Sequence, residues 1–241
     1  MSDIAVVTGA SGGIGAAIAK MICQKSEGQL TLCLHYNGNA EAAKKVSAEI
    51  PGSFIVQANL STAEGRKSLL DAVLAKGSPF CLVNNAGIDK PHEPALMIDE
   101  ASYDKIMDTN LRGPLFLMRD FAKEMARNES GVIVNISSVL ARKSVIGSAV
   151  YRASKAALEA LTQQFAFELG SKGVRVVAVA PGFIETSMTS GIPEDQRSGI
   201  KRDVSLGRFG EPEAVAETVW HAIENQYLTG AVIAVDGGMA L

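Results

Sequence analysis

The sequence predicts a doubly wound α/β fold: a single domain over residues 1–241, with a sheet of seven parallel strands and helices on both of its faces. Three observations lead there. Short β-branched runs alternate with longer helix-like stretches along all 241 residues, the pattern of a wound sheet with right-handed crossovers. Most of the short runs are apolar throughout rather than alternating, as in parallel strands covered on both faces. No Pro/Gly-rich linker, low-complexity tract or internal repeat divides the chain.

In chain order the strand-like runs are 4–8 (IAVVT), 30–34 (LTLCL), 54–57 (FIVQ), 80–84 (FCLVN), 132–137 (VIVNIS), 174–180 (VRVVAVA) and 231–235 (AVIAV). The helix-like stretches between them are 15–25, 40–50, 62–76, 99–125, 150–170 and 211–225. One stretch, 182–210, takes neither assignment. It is rich in Gly, Pro and charge, and a segment of that length without clear periodicity reads as a functional flap rather than core.

The length is ample for a self-standing core. A composition of 47% hydrophobic and 20% charged residues excludes disorder, collagen and coiled coil. No apolar run reaches the roughly 18 residues of a membrane span. The opening MSDIAVVTGA puts an acid ahead of a strand-like run, unlike a secretory signal, so a soluble cytoplasmic protein is expected. The 23 basic and 26 acidic residues leave a net charge of −3 with no basic block, which speaks against nucleic acid as a partner. Cys23, Cys33 and Cys81 are an odd count without a CxxC pair, so neither a disulfide framework nor a structural zinc is expected. No HExxH or Cys/His cluster points to a catalytic metal.

Chemistry concentrates at a few turns. Thr8-Gly9-Ala10-Ser11-Gly12-Gly13-Ile14-Gly15 directly follows the first strand and opens the first helix. Glycines there let the backbone approach a pyrophosphate, and the helix N-terminus offers free N–H groups and the positive end of its dipole. The spacing matches the ordinary dinucleotide fingerprint only in part, and a tight turn without a ligand is the plain alternative. Gly9-x-Ser11-x-Gly13 also satisfies the nucleophile elbow of hydrolases. That reading needs an oxyanion donor from an earlier strand, and only ten residues precede Ser11. It also needs a later acid and histidine; the chain has just three histidines, of which His221 could serve by order but lies inside a helical pattern. Asn84-Asn85-Ala86-Gly87 closes the fourth strand, where ligands of open α/β sheets collect, although an Asn–Gly turn is unremarkable in itself.

Tyr151 and Lys155 stand four apart at the start of a helical stretch, so both side chains point the same way. Ser138 adds a hydroxyl at the end of the fifth strand. Taken singly these are a capping serine and a solvated lysine. Taken together, Thr8–Gly15, Asn84–Gly87, Asn110, Ser138, Tyr151-x-x-x-Lys155 and Pro181-Gly182 resemble the short-chain dehydrogenases/reductases in order and approximate spacing, over essentially the whole chain. The resemblance implies a Rossmann sheet of seven strands, NAD(P) binding and commonly a homotetramer. It implies Tyr151 as general acid/base, Lys155 as its electrostatic partner, Ser138 as hydrogen-bond donor to the substrate carbonyl and Asn110 as holder of a water linking Lys155 to solvent. The cofactor contacts it implies are Gly9, Ser11, Gly13, Ile14, Gly15, Tyr36, Asn37, Asn59, Leu60, Asn85, Ala86, Gly87, Tyr151, Lys155, Pro181, Gly182, Ile184 and Thr186, with no metal.

The physics of the pair runs parallel. A free tyrosine titrates near about 10, and bringing it down by about 3 units takes roughly 4 kcal/mol in favour of phenolate. The Lys155 ammonium and the positive nicotinamide ring are the expected sources. Tyr151 would protonate a carbonyl oxygen as hydride reaches the carbon, and Ser138 would stabilise the developing alkoxide.

The end of the second strand, His35-Tyr36-Asn37-Gly38, carries no carboxylate to repel a 2′-phosphate. The expectation is therefore NADP(H), with NAD not excluded. An arginine in the glycine-rich turn is absent, because position 12 is Gly. Asn59-Leu60 stands where the family often has Asp and an apolar residue beside the adenine.

The stretches Ala180–Thr186, Met188-Thr189, Asp195–Ile200, Thr229-Gly230 and Val235–Met239 resemble the 3-oxoacyl-acyl-carrier-protein reductases of that family. This implies a β-ketoacyl thioester substrate, Thr186 on the nicotinamide amide, and an acyl carrier protein as partner. A carrier of that kind is acidic, so its dock should be basic. Arg127 and Lys172 match positions where the branch carries docking residues, and two ordinary solvated charges are the alternative. Ala141-Arg142-Lys143 and Ser148-Ala149-Val150 depart from the fatty-acid enzymes. They suggest either an unusual acyl chain, as in polyketide-like or aryl-polyene pathways, or an extension of the basic rim. A reductase of a free ketone, sugar or steroid, and a non-enzymatic dinucleotide-binding protein, are the remaining alternatives. Retention of Tyr151 and Lys155 weighs against the second.

Overall fold

A computed structural model describes residues 2–89 and 94–241. Seven strands, β1 (Ser2–Val7), β2 (Leu30–Tyr36), β3 (Phe54–Gln57), β4 (Gly77–Asn84), β5 (Gly131–Ile136), β6 (Val174–Pro181) and β7 (Val232–Val235), form one sheet. All pair in parallel, in the order β3-β2-β1-β4-β5-β6-β7. The winding direction reverses between β1 and β4, so a crevice opens at the carboxyl ends of those two strands.

Alternate residues of β1 serve opposite faces. Ala5 and Val7 join a core with Ile18 and Ile22 of α1 (Gly13–Lys25) and Val215 and Val219 of α8 (Pro212–Glu224). Ile4 and Val6 join the other, with Leu69 of α3 (Ala63–Leu74), Phe121 of α5 (Gly113–Arg127) and Leu158 of α6 (Ala149–Leu169). Burial on both sides is why the strands read as unbroken apolar runs. The short α2 (Ala40–Ala48), α3 and α4 (Glu100–Met107) are started by the side chains of Asn39, Thr62 and Asp99, each accepting an N–H of the first turn.

The structure departs from the sequence expectation at two places. The stretch 99–125 is not one helix. It is α4 and α5 joined by a π-turn at Asp108–Arg112. Pro114 has no N–H to offer the carbonyl four residues back, that of Asn110, and the ladder widens to a Gly113 N–H bond on the Asp108 carbonyl. The stretch 182–210 is not irregular throughout, since it holds α7 (Glu194–Asp203). That helix (EDQRSGIKRD) buries no residue, so it leaves no apolar period to read. The remaining differences are shifts of a few residues at element ends.

Candidate active site

The first turn is built around backbone that only glycine supplies. Gly9 takes φ +67° and Gly13 φ +53°, conformations costly for residues with a Cβ. A Cβ on Gly15 would lie 2.3 Å from the Gly9 carbonyl oxygen. The N-cap of α1, Gly12, supplies no side-chain cap, so the first N–H groups of the helix remain available to an anion. Thr8 ties this turn to the next one: its hydroxyl accepts from Asn85 N–H and Ala86 N–H, both at 2.9 Å, while the Asn85 amide donates to Thr8 and Gly9 carbonyls. Ser11 and Ile14 lie in the same turn, Ser11 partly exposed and Ile14 packed on the core. Thr186 comes against the turn from above, its Cγ2 3.4 Å from where a Gly13 Cβ would stand.

Beyond the turn, Tyr36 is buried, while Asn37 and Asn59 are exposed and Leu60 is buried. Gln57 donates to the Asn37 carbonyl at 2.9 Å, and Ser61 donates to the Asn59 side chain. No carboxylate occupies residues 35–40. Lys44, one of two adjacent lysines in α2, is exposed and pairs with Glu41 at 2.9 Å.

The second constellation lies beside the first. Gly87 separates them: a Cβ there would stand 3.3 Å from Asn110 Oδ1 and 3.5 Å from Lys155 Nζ. Asn110, fully buried in the π-turn, accepts from Ile88 N–H and donates to the Ile88 carbonyl, both at 2.8 Å. Lys155 donates to the Ile136 carbonyl at 2.8 Å, and its Nζ stands 5.6 Å from the centre of the Tyr151 ring. Ser138 caps a 3₁₀ turn (Val139–Ala141), accepting from the Leu140 N–H at 3.1 Å, and its hydroxyl favours the Tyr151 phenolate. Two groups that the sequence did not flag complete the surround. Asp89, two residues past Gly87, acts electrostatically on both Tyr151 and Lys155. Glu159 accepts from Ser137 at 2.9 Å.

The electrostatics correct one expectation. The protein alone does not bring the phenol down. Burial pushes Tyr151 up to about 12, opposed in part by the Ser138 hydrogen bond and reinforced by Asp89. Burial likewise lowers Lys155 to about 8, with Asp89 pulling the other way. Desolvation of a charge outweighs the charge–charge attraction at this depth.

A cavity of about 530 Å3 opens over Ser138 and Tyr151. Its walls are largely apolar, with Leu140, Val145, Phe183 and Ile192, and it also takes in Asp89, Thr189 and Gln196. One side is the segment after Pro181-Gly182. Ile184 is buried there, and Gly210 N–H and carbonyl close back on Phe183 and Glu185. Arg197 of α7 holds the segment. It bonds the Thr189 carbonyl at 3.1 Å and Glu185 at 2.5 Å, and its guanidinium stacks 4.4 Å from the centre of the Phe209 ring.

The basic residues flagged in the sequence lie as follows. Arg142 pairs with Glu159 at 3.4 Å and Lys143 with Asp203 at 3.3 Å, so they are engaged rather than a free basic rim. Arg127 pairs with Glu124 at 2.7 Å. Arg127 and Lys172 lie at the far ends of α5 and α6 from this site. They lead into the amino ends of β5 and β6, whereas Tyr151 sits at the start of α6, whose 21 residues span about 30 Å at roughly 1.5 Å each. As expected from the sequence, the elbow reading of Ser11 finds no base among the described residues: His221 is exposed on α8 and His35 is turned to other partners.

Glycine-rich turn, Asn–Gly turn and Tyr–Lys helix around one parallel sheet define a nucleotide-dependent oxidoreductase, and relatives agree. The chain belongs to the short-chain dehydrogenase/reductase family: the family described as enoyl-(acyl carrier protein) reductase matches residues 9–240. Membership makes it an NAD(P)-dependent oxidoreductase acting on CH–OH groups. It is 37% identical over 246 residues to the 3-oxoacyl-(acyl-carrier-protein) reductase FabG of Staphylococcus epidermidis, covering 99% of each chain. It is equally 37% identical to carbonyl reductase family member 4 of Danio rerio, covering 100% of this chain and 99% of that one. A solved short-chain dehydrogenase/reductase family protein superposes with a TM-score of 0.87 at 34% identity, covering 98% and 97%.

Proposed function

We propose that the protein reduces a 3-oxoacyl thioester, presented on an acyl carrier protein, to the 3-hydroxyacyl thioester with NADPH, in fatty-acid or related polyketide or aryl-polyene synthesis in the cytoplasm. The observation that carries this reading is the Ser138–Tyr151–Lys155 cluster at the floor of an apolar cavity, in a chain 37% identical to FabG over its length. When bound, the dinucleotide supplies the hydride. The first turn (Gly9, Ser11, Gly13, Ile14, Gly15) would hold the diphosphate. Tyr36, Asn37, Asn59 and Leu60 would take the adenosine, and Asn85–Gly87 with Pro181, Gly182, Ile184 and Thr186 the nicotinamide half.

The residues divide the remaining work. Ser138 orients the substrate carbonyl by donating to its oxygen. Tyr151, held protonated by its raised pKa, delivers the proton that the oxygen needs as it becomes an alcohol. Lys155 is cationic below about 8 and stabilises the phenolate left behind. Asn110 buttresses Gly87 and Ile88 and would seat the water through which the proton is replaced.

The preference for NADPH rests on the absence of a carboxylate at residues 35–40. Arg127 and Lys172 can serve this site only from another subunit, with α5 and α6 of two copies laid antiparallel in a homotetramer. The test is oxidation of NADPH by an acetoacetyl thioester, wild type against Tyr151→Phe. The wild type should turn over, and the variant should lose at least about a hundredfold in kcat while still binding NADPH. A variant that retains turnover contradicts the assignment of Tyr151. A free ketone as the substrate is the second reading, supported by the identity to a carbonyl reductase.

A further inference from the structure

β2 carries a histidine that this chemistry leaves unused. His35 is 2% exposed, and both ring nitrogens are engaged. Nδ1 lies 3.2 Å from the backbone nitrogen of Gly9, a peptide N–H that can only donate, so Nδ1 is the acceptor. Nε2 lies 2.9 Å from the Ala58 carbonyl oxygen, which can only accept, so Nε2 carries the proton. The two partners fix one neutral tautomer. Burial lowers the titration of the ring below its usual value, in keeping with a neutral imidazole. The backbone repeats the connection: Ala10 N–H donates to the His35 carbonyl at 2.9 Å, and Ala58 N–H to the Tyr36 carbonyl at 3.1 Å.

The two ends of this ring are not equivalent places. Gly9 is the first of the two left-handed glycines of the first turn. Ala58 immediately precedes Asn59 and Leu60, on the far side of β2. We propose that His35 is a positioning residue for the dinucleotide: its neutral ring braces the diphosphate turn against the adenosine wall and sets the separation of the two half-sites. An aliphatic side chain at this position would leave the Gly9 N–H and the Ala58 carbonyl without their partner and the turn free to shift. The inference rests on the proposed reading of that turn as the diphosphate site.

The experiment is a fluorescence titration of the protein with NADPH and NADH, with KM and kcat for cofactor measured alongside. His35→Leu should bind NADPH about tenfold more weakly and raise the cofactor KM similarly. Its kcat at saturation should stay within about twofold of wild type. His35→Asn, whose amide oxygen stands where Nδ1 stood opposite Gly9, should recover most of the affinity. His35→Gln, which can reach Ala58 but withdraws the acceptor from Gly9, should bind as weakly as His35→Leu and takes its place if that variant does not fold. Wild-type affinity in both His35→Leu and His35→Gln overturns the inference. So does equal weakness of Asn, Gln and Leu variants, or a loss confined to kcat. Failure of the wild type to bind either dinucleotide overturns the reading of the turn itself.

Discussion

At the residue scale, the central pair is maintained against its own solvation. Lys155 is buried and titrates near 8 rather than its ordinary 10.5. The unfolded chain therefore holds that proton up to about 10.5, while the folded chain releases it near 8. Between those values the unfolded state binds more protons, so this group's contribution to stability improves as pH rises; below 8 it imposes a constant cost of about 3 kcal/mol. Lys155→Met is expected to lose activity and to be more stable than wild type at pH 7, with the difference shrinking between pH 8 and 10. Thermal denaturation across that range is the check, and a variant less stable at pH 7 than at pH 9, relative to wild type, contradicts the account. The same group sets a catalytic expectation. Reductive kcat/KM should hold at neutral pH and fall as pH rises through about 8, because Lys155 loses the charge that stabilises the Tyr151 phenolate; a rate still rising through pH 9 would contradict it. Tyr151, Lys155 and Ser138 could be singled out in the sequence only because their joint order and spacing resemble the family's, since each alone reads as an ordinary residue. The direction of the Tyr151 shift was not legible, since burial depth is a property of the packed structure.

At the element scale, the apolar strands and their order of helices could be read directly, because two-sided burial leaves runs without alternation. What escaped was set by single residues or by the absence of a core. Pro114 breaks the ladder and makes the π-turn that presents Asn110, a signal present in the sequence as a proline four residues after it. The helix α7 buries nothing and is held through Arg197 to Glu185, Thr189 and Phe209. Arg197→Ala is therefore expected to loosen the wall of the cavity without disturbing the two cores. Substrate KM should rise about tenfold or more with a melting temperature within a few degrees of wild type. A large fall in melting temperature with unchanged KM would assign Arg197 to stability instead. In the first turn, Gly15→Ala forces a Cβ to 2.3 Å from a backbone oxygen. It should abolish detectable dinucleotide binding in a titration, and near-normal affinity would show that the turn is not the diphosphate site.

At the scale of the whole molecule, the sheet brings residues distant in sequence together at the carboxyl ends of its strands, Gly9 beside Asn85 and Thr186 over Gly13. Arg127 and Lys172 lie at the opposite end of the sheet, leading into the amino ends of β5 and β6. No helix among the described residues is long and apolar enough to cross a membrane. The account predicts that the acidic carrier is part of the substrate and that cofactor choice is set at the end of β2. The most direct measurement is the initial rate of NADPH oxidation with one β-ketoacyl group, carried on an acyl carrier protein or on a short pantetheine mimic, with NADH run in parallel. The result predicted is a kcat/KM at least about tenfold higher for the carrier-bound substrate and for NADPH over NADH. Equal rates for carrier and mimic, or no turnover of any β-ketoacyl thioester by protein that binds NADPH, would contradict the assignment of substrate.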